Sequence, residues 1–369
     1  MLALASLLAL TGAACADATG TSTGDSAPVD SVPSDDVTTT TSSNAIADTT
    51  APASTETDSG SGDEVVSSAI APVFTESTFD VEVTRDVVYA QGQSHSEWGS
   101  DDAETIDLLL DVYEPVRSDD GLLPAVVMIH GGGFTGGSKD HAAMSGMAQQ
   151  FAERGWVAYS IDYRLAGDHG TLPADYPEVP ALAAGQQIDQ WAALYPACRD
   201  AKAAVRWVRA TASEHSVHPD YIAVVGGSAG SFLALTLGVS EAGDCVDELS
   251  VDEDPTLATT NLDQSSEVAT VIDHWGGTLI LSMLELSGGG TRFDATDAPI
   301  SIVHGTEDPT VPFSEAERIR AEYEQTGVTY EWLPLEGAGH GAWGVTVDGQ
   351  DLAESAVEFV IETQSLPVG

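Results

Sequence analysis

Four short stretches of the chain carry side chains suited to acyl transfer, and each lies where an apolar run gives way to glycine. That chemistry needs a nucleophile, a base within hydrogen-bond reach of it, an acid to orient the base, and N–H donors for the oxyanion. Gly226-Gly227-Ser228-Ala229-Gly230 fits G-x-S-x-G. Its small residues allow a sharp strand-to-helix turn that would thrust the Ser228 hydroxyl outward as a nucleophile. The competing reading is plain: a serine ahead of a helix often caps it, and a five-residue pattern arises easily by chance. An apolar strand pattern before the motif and a helical one after it favour the nucleophile.

His340 is the candidate base. It sits between glycines in "GAGHGAW", after the final strand pattern and before the final helix, where the backbone can present the ring to a cleft. His304 and His274 also follow strands and compete with it, but in the order serine, acid, histidine neither has an orienting acid apart from Asp273 for His304. Asp308, in "VHGTEDPTVP", is the candidate acid, with Glu307 as its adjacent rival; a short carboxylate before Pro309 suits an inward turn. For the oxyanion hole, "HGGGF" offers the N–H groups of Gly132 and Gly133, joined by Ala229 at the positive end of the following helix. The Phe134 N–H could replace one of them, and Phe134 is also a candidate substrate-binding residue. His130 is expected to anchor this loop.

These groups need a scaffold that gathers strand ends. "LPAVVMIH", "WVAYSIDYR", "YIAVVGG", "VATVIDHW" and "PISIVHG" read as buried strands, and "HAAMSGMAQQFAERG", "CRDAKAAVRWVRATA", "SEAERIRAEYEQTG" and "DLAESAVEFVIETQ" as amphipathic helices. Such alternation implies a mostly parallel sheet covered on both faces, with "FDVEVTRDVVYA" and "TIDLLLDVYEPV" as an antiparallel edge. Functional groups in open α/β sheets collect at the carboxyl ends of strands, which is where all four stretches fall.

From about residue 80 to 365 the chain resembles α/β-hydrolases of the esterase/lipase group that carry the HGGG signature. The resemblance rests on "HGGGFTGGSK", "DYRL", "DAKAAVRWVR", "YIAVVGGSAG", "VHGTEDPTVP" and "GAGHGAW", in the family's order. It implies a twisted sheet with helices on both faces and a lid or cap insertion. It also implies hydrolysis of carboxylic esters through a serine acyl-enzyme, with no cofactor and no metal. The single-domain size favours esters of short or medium acyl groups or small alcohols. The segment after "DYRL" runs longer than in compact members. With "TLILSMLELSGGG" it is expected to wall the substrate pocket, the latter as a mobile apolar lid element.

Other readings fare worse. Gly131, Gly133 and Gly136 fit G-x-G-x-x-G with Asp162 ending the next strand, as in a dinucleotide site. Two strands precede this one, however, and His130, Ser228, Asp308 and His340 would go unexplained. A peptidase or amidase on the same fold, or a binding protein on a hydrolase frame, stays open. The acidic run "EAGDCVDELSVDEDP" lacks the glycine-centred spacing of a calcium loop.

Twelve Lys and Arg face 59 Asp and Glu, a formal net charge of −47. Nothing in that balance could neutralise a phosphate backbone, so a nucleic-acid partner is excluded. Self-repulsion of this size favours a monomer or weak dimer and would be relieved by salt. Residues 1–15, "MLALASLLALTGAAC", resemble a bacterial lipoprotein signal, which implies export and a lipidated Cys15 as a membrane tether. Residues 16–73, rich in Thr, Ser, Ala and Asp, read as a disordered tether, leaving 74–369 as the catalytic domain. Cys198 and Cys245 form a candidate disulfide or remain two free thiols.

Overall fold

The computed structural model describes residues 69–119, 121–178, 186–287 and 290–369. The signal segment, Cys15 and all of the tether up to residue 68 lie outside the described residues. Residues 69–73, expected to belong to the tether, instead join the fold. Ile70 bridges to Leu122 and Val73 to Val368, and Ala71 and Val73 are buried. Apolar side chains in this short run find a place in the core, which extends the folded part towards the N-terminus.

Eight strands form one sheet: β1 (Val81–Ser94), β2 (Glu104–Pro115), β3 (Leu123–Ile129), β4 (Val157–Ile161), β5 (Val217–Gly227), β6 (Thr270–His274), β7 (Ile300–Gly305) and β8 (Tyr330–Leu335). Their spatial order is β1-β2-β4-β3-β5-β6-β7-β8. β2 runs antiparallel to both β1 and β4, and every pairing from β4 onward is parallel. The central strands are apolar throughout because both of their faces are covered. Ala125, Val127 and Ile129 of β3 enter one core, and Val126 and Met128 the other. A short hairpin of β9 (Thr346–Val347) and β10 (Gln350–Asp351) precedes the last helix.

One face is covered by α1 (Ala142–Glu153) and α6 (Leu352–Gln364), the other by α2 (Gln186–Ala210), α3 (Ala229–Val239), α4 (Leu279–Leu286) and α5 (Phe313–Thr326). Helix α1 buries Met144, Met147, Ala148, Phe151 and Ala152, one stripe at helical spacing. Helix α6 starts on a capping box: the Asp351 carboxylate accepts from the Ala353 and Glu354 N–H groups, and Glu354 accepts in return from the Asp351 N–H. Helix α3 is buried nearly all round, as its unbroken apolar sequence requires.

Two expectations change here. Helix α2 begins well before Cys198 and runs through Pro196, so the end of the long segment after "DYRL", from Gln186 on, is helix rather than loop. Gly170 lies against the Pro196 ring, where a side chain would not fit. The segment 279–284, expected as a mobile lid, is buried as helix α4 and belongs to the core. Tyr176 ties the described part of the long segment to it, donating to Met283 Sδ at 3.2 Å and to the Trp191 carbonyl. Cys198 on α2 and Cys245, in the loop after α3, form a disulfide.

Candidate active site

Strand β5 ends at Gly227, and the chain turns into α3 through Ser228, whose φ of 52° and ψ of −120° lie outside the usual range for a residue with a side chain. The turn is held by the Ser228 N–H donating to the His274 carbonyl at 2.9 Å, while its own carbonyl accepts from the Ser231 N–H at 2.8 Å. The hydroxyl makes no cap bond to the helix. It donates instead to His340 Nε2 at 2.8 Å. That contact separates the two sequence readings of this serine.

His340 lies in the loop after β8, which passes close over the end of β7. A Cβ on Gly305 would fall 2.4 Å from the Ala338 carbonyl oxygen, so only glycine permits the approach. His340 Nδ1 donates to Asp308 Oδ2 at 2.7 Å. The Asp308 side chain is wholly buried and accepts at Oδ1 from the Thr310 and Val311 N–H groups at 2.7 and 3.0 Å. Glu307, its rival, is exposed. Burial alone would raise the Asp308 pKa, but hydrogen bonds from His304 and His340 outweigh it and hold the carboxyl far below the usual range. An ionised Asp308 keeps the His340 proton on Nδ1 and leaves Nε2 free to accept.

The competing histidines take other places. His274 is buried with Nδ1 facing the Gly226 carbonyl at 3.2 Å, and burial pushes its pKa down to about 4. His304 stands behind the acid: Nε2 donates to the Val311 carbonyl at 2.9 Å and lies 3.4 Å from Asp308 Oδ2. Asp308 is thus flanked by two imidazoles, which the sequence did not suggest. The four-residue spacing of His304 and Asp308 was its only available sign. Asp162, considered for a dinucleotide site, accepts from the Lys139 N–H at 2.7 Å and closes a loop.

The glycine loop after β3 abuts the serine. A Cβ on Gly131 would fall 3.1 Å from Ser228 Cβ. Gly132 has φ +126°, and a Cβ there would fall 2.0 Å from the Gly136 carbonyl oxygen. Among the described residues, the N–H groups of Gly132, Gly133 and Ala229 donate to no protein acceptor. Two supports were not visible in the sequence. Gln190 of α2 donates to the Gly133 carbonyl at 2.8 Å, which fixes the orientation of the Gly133–Phe134 peptide. Tyr163 donates to the His130 carbonyl at 2.9 Å and stacks on its ring at 4.4 Å. His130 anchors the loop through Nδ1 to the Gly131 carbonyl at 2.7 Å and is kept neutral by burial, its pKa pushed down to about 4.

Phe134 departs from expectation. Its ring is completely buried, edge-on to Tyr163 and Phe232, so it fixes the loop from beneath and presents no surface to a substrate. Trp343 packs on the buried Trp275 with ring centroids 4.4 Å apart, and Trp275 stands 6.3 Å from the His340 ring, so the pair backs the base. No group of three or more His, Cys, Asp or Glu among the described residues could hold a metal ion.

Known proteins carry the same frame. The chain is similar to Thermogutta terrifontis esterase 2, solved with propionate bound: 27% identity, TM-score 0.53, covering 79% of this chain and 97% of that one. This chain has the α/β-hydrolase fold. The same neighbour has also been solved phosphorylated by paraoxon, at 29% identity, TM-score 0.53, and 78% and 95% coverage. The BD-FAE family model matches the chain over residues 110–181 and 188–293, and the prolyl oligopeptidase family model over 281–365. Esterase LipC of Mycobacterium tuberculosis is 26% identical over 269 residues, 66% of this chain. The chain spans 58% of the length of that relative.

Proposed function

We propose that this chain cleaves carboxylic esters of short or medium acyl groups or small alcohols through a serine acyl-enzyme. The observation that carries the reading is the unbroken relay from Ser228 Oγ through His340 to Asp308, at 2.8 and 2.7 Å. Ser228 Oγ attacks the ester carbonyl carbon as His340 Nε2 takes its proton, and Asp308 stabilises the resulting imidazolium without itself being protonated. The N–H groups of Gly132, Gly133 and Ala229 receive the negative charge that develops on the carbonyl oxygen. His340 returns the proton to the leaving alkoxide. Water, activated by the same imidazole, then attacks the acyl-enzyme, releasing the acid and restoring Ser228.

The esterase neighbour that binds propionate and is phosphorylated by paraoxon supports both the short acyl group and the reactive serine. A second reading, amide or peptide cleavage, is favoured by the match of residues 281–365, which contain Asp308 and His340, to the prolyl oligopeptidase family. Labelling with a fluorophosphonate probe and peptide mapping, in the intact chain and in Ser228→Ala, tests the mechanism. Stoichiometric labelling at Ser228 is expected, with turnover of p-nitrophenyl esters falling by at least about 10⁴-fold in the variant. A folded but unlabelled protein would overturn it in favour of a binding role. Faster turnover of p-nitroanilides than of matched esters would move the reading to an amidase.

Export with lipidation at Cys15 is proposed on the sequence alone. Mass spectrometry of the mature N-terminus tests it, and an unmodified or retained leader would reject it.

A further inference from the structure

Cations are scarce in this chain, yet they gather around helix α2. Arg199, Lys202, Arg206 and Arg209 lie on it, and Arg164 packs against it through Asp200. Three of these guanidinium groups, those of Arg164, Arg199 and Arg206, line one small cleft between α2, β1 and the loop that follows Cys245. All three are at least nine-tenths buried, with exposures of 3, 5 and 4%.

The carboxylates at the cleft are already committed. Asp200 receives Arg164 side-on, Nε to Oδ2 at 2.9 Å and Nη2 to Oδ1 at 2.7 Å, and also accepts the Arg164 N–H. Asp254 accepts from Arg199 Nη1 at 3.1 Å at one oxygen and from the Thr256 N–H at 3.0 Å at the other. Arg206 has no carboxylate. Its one hydrogen bond runs from Nε to the Thr260 carbonyl at 2.7 Å, which leaves both terminal nitrogens without a protein acceptor. Three cations and two anions leave one positive charge over, on side chains that are almost wholly buried. An uncompensated buried charge is among the costliest arrangements a fold can hold. Burial and the neighbouring Arg199 even push the Arg206 pKa down to about 10.

The geometry points to a binding site for one small monovalent anion of the halide class, held between Arg199 and Arg206. The cleft has a volume of about 10 Å³, the space of a single water or monoatomic ion. Polyatomic anions such as sulfate exceed it. One bound halide balances the charge and gives the free nitrogens of Arg206 an acceptor. It would also tie α2 to the acidic loop beyond Cys245, whose own charge otherwise repels it from the rest of the molecule.

The test compares thermal unfolding of the intact chain in sodium chloride, sodium bromide and sodium methanesulfonate at matched molar ionic strength, for wild type and Arg206→Met. General screening is the same in all three salts. The halides are expected to raise the wild-type Tm by roughly 3 °C more than methanesulfonate does, and the variant to lose that difference. A wild type indifferent to the anion, or an equal difference in both proteins, overturns the site. Should Arg206→Met fail to fold, crystals of the wild type grown in bromide decide. An anomalous peak in contact with Arg199 and Arg206 is expected, and an empty cleft overturns the assignment.

Discussion

Ser228 sits in a backbone region that glycine enters freely and other residues enter at a cost of about 1–3 kcal/mol. Ser228→Gly should therefore unfold at a higher Tm than wild type while losing ester turnover, and calorimetry beside an activity assay would show both. A variant no more stable than wild type would mean that the turn is not strained. Asp273, at the end of β6, makes the opposite kind of case. Its side chain is fully buried, Oδ1 accepts from the Gly276 N–H at 2.8 Å, and Oδ2 has no partner. Burial raises its pKa to about 6 in spite of the pull of His304. The folded-state pKa thus lies above the unfolded one near 4, so the neutral acid supports the fold below that value, and the support is lost as pH rises through 6. Above pH 6 the buried carboxylate costs about 3 kcal/mol. Asp273→Asn should gain stability over wild type at pH 8 and little at pH 4, and a pH-independent gap in Tm would count against this. At this scale the sequence was most informative where a residue's neighbours in the chain were also its neighbours in space, as around Ser228 and Asp308. It was silent on Gln190, which reaches the Gly133 carbonyl from 57 positions away, and on the ring of Phe134, whose burial depends on Phe232.

Among the elements, the strands were legible because a strand covered on both faces must be apolar at every position, as β3 is. Helix α2 was only half legible. Pro196 reads as a break, yet the helix continues through it, its ring accommodated against Gly170. The apolar run of α4 carries no mark to separate a greasy flap from a core helix, since both need the same composition; only packing decides it. The disulfide fixes α2 to the loop after α3 across a separation of 47 residues. A loop of that length, cross-linked, stabilises by about 4 kcal/mol in the chain-entropy account. Reduction, or the paired change Cys198→Ala with Cys245→Ala, should lower Tm by roughly 10 °C. A Tm unchanged under reductant, with free thiols confirmed by titration, would show that the bridge adds nothing.

For the whole molecule, the excess of negative charge sets the response to solvent. With a formal charge of −47, compact packing works against long-range repulsion that salt screens, the Debye length falling to about 3 Å at 1 M. Stability should rise steadily from low salt towards that range for any choice of anion, with the halide increment added on top. A Tm that falls or stays flat would show that the repulsion is already offset within the fold.

The disposition of the few cations has a practical side. The chain has only two lysines, Lys139 and Lys202, and both are buried. Lys139 is held by Asp86 and Asp111 at 2.9 Å each, and Lys202 donates to the Glu241 carbonyl at 2.6 Å. Amine-directed dyes, cross-linkers and activated resins therefore meet no open ε-amine on the folded domain. Among its described residues Arg85 is the most exposed base, its side chain 56% accessible, so trypsin has little to grip. Attachment to a support would have to go through the carboxylates that cover the surface.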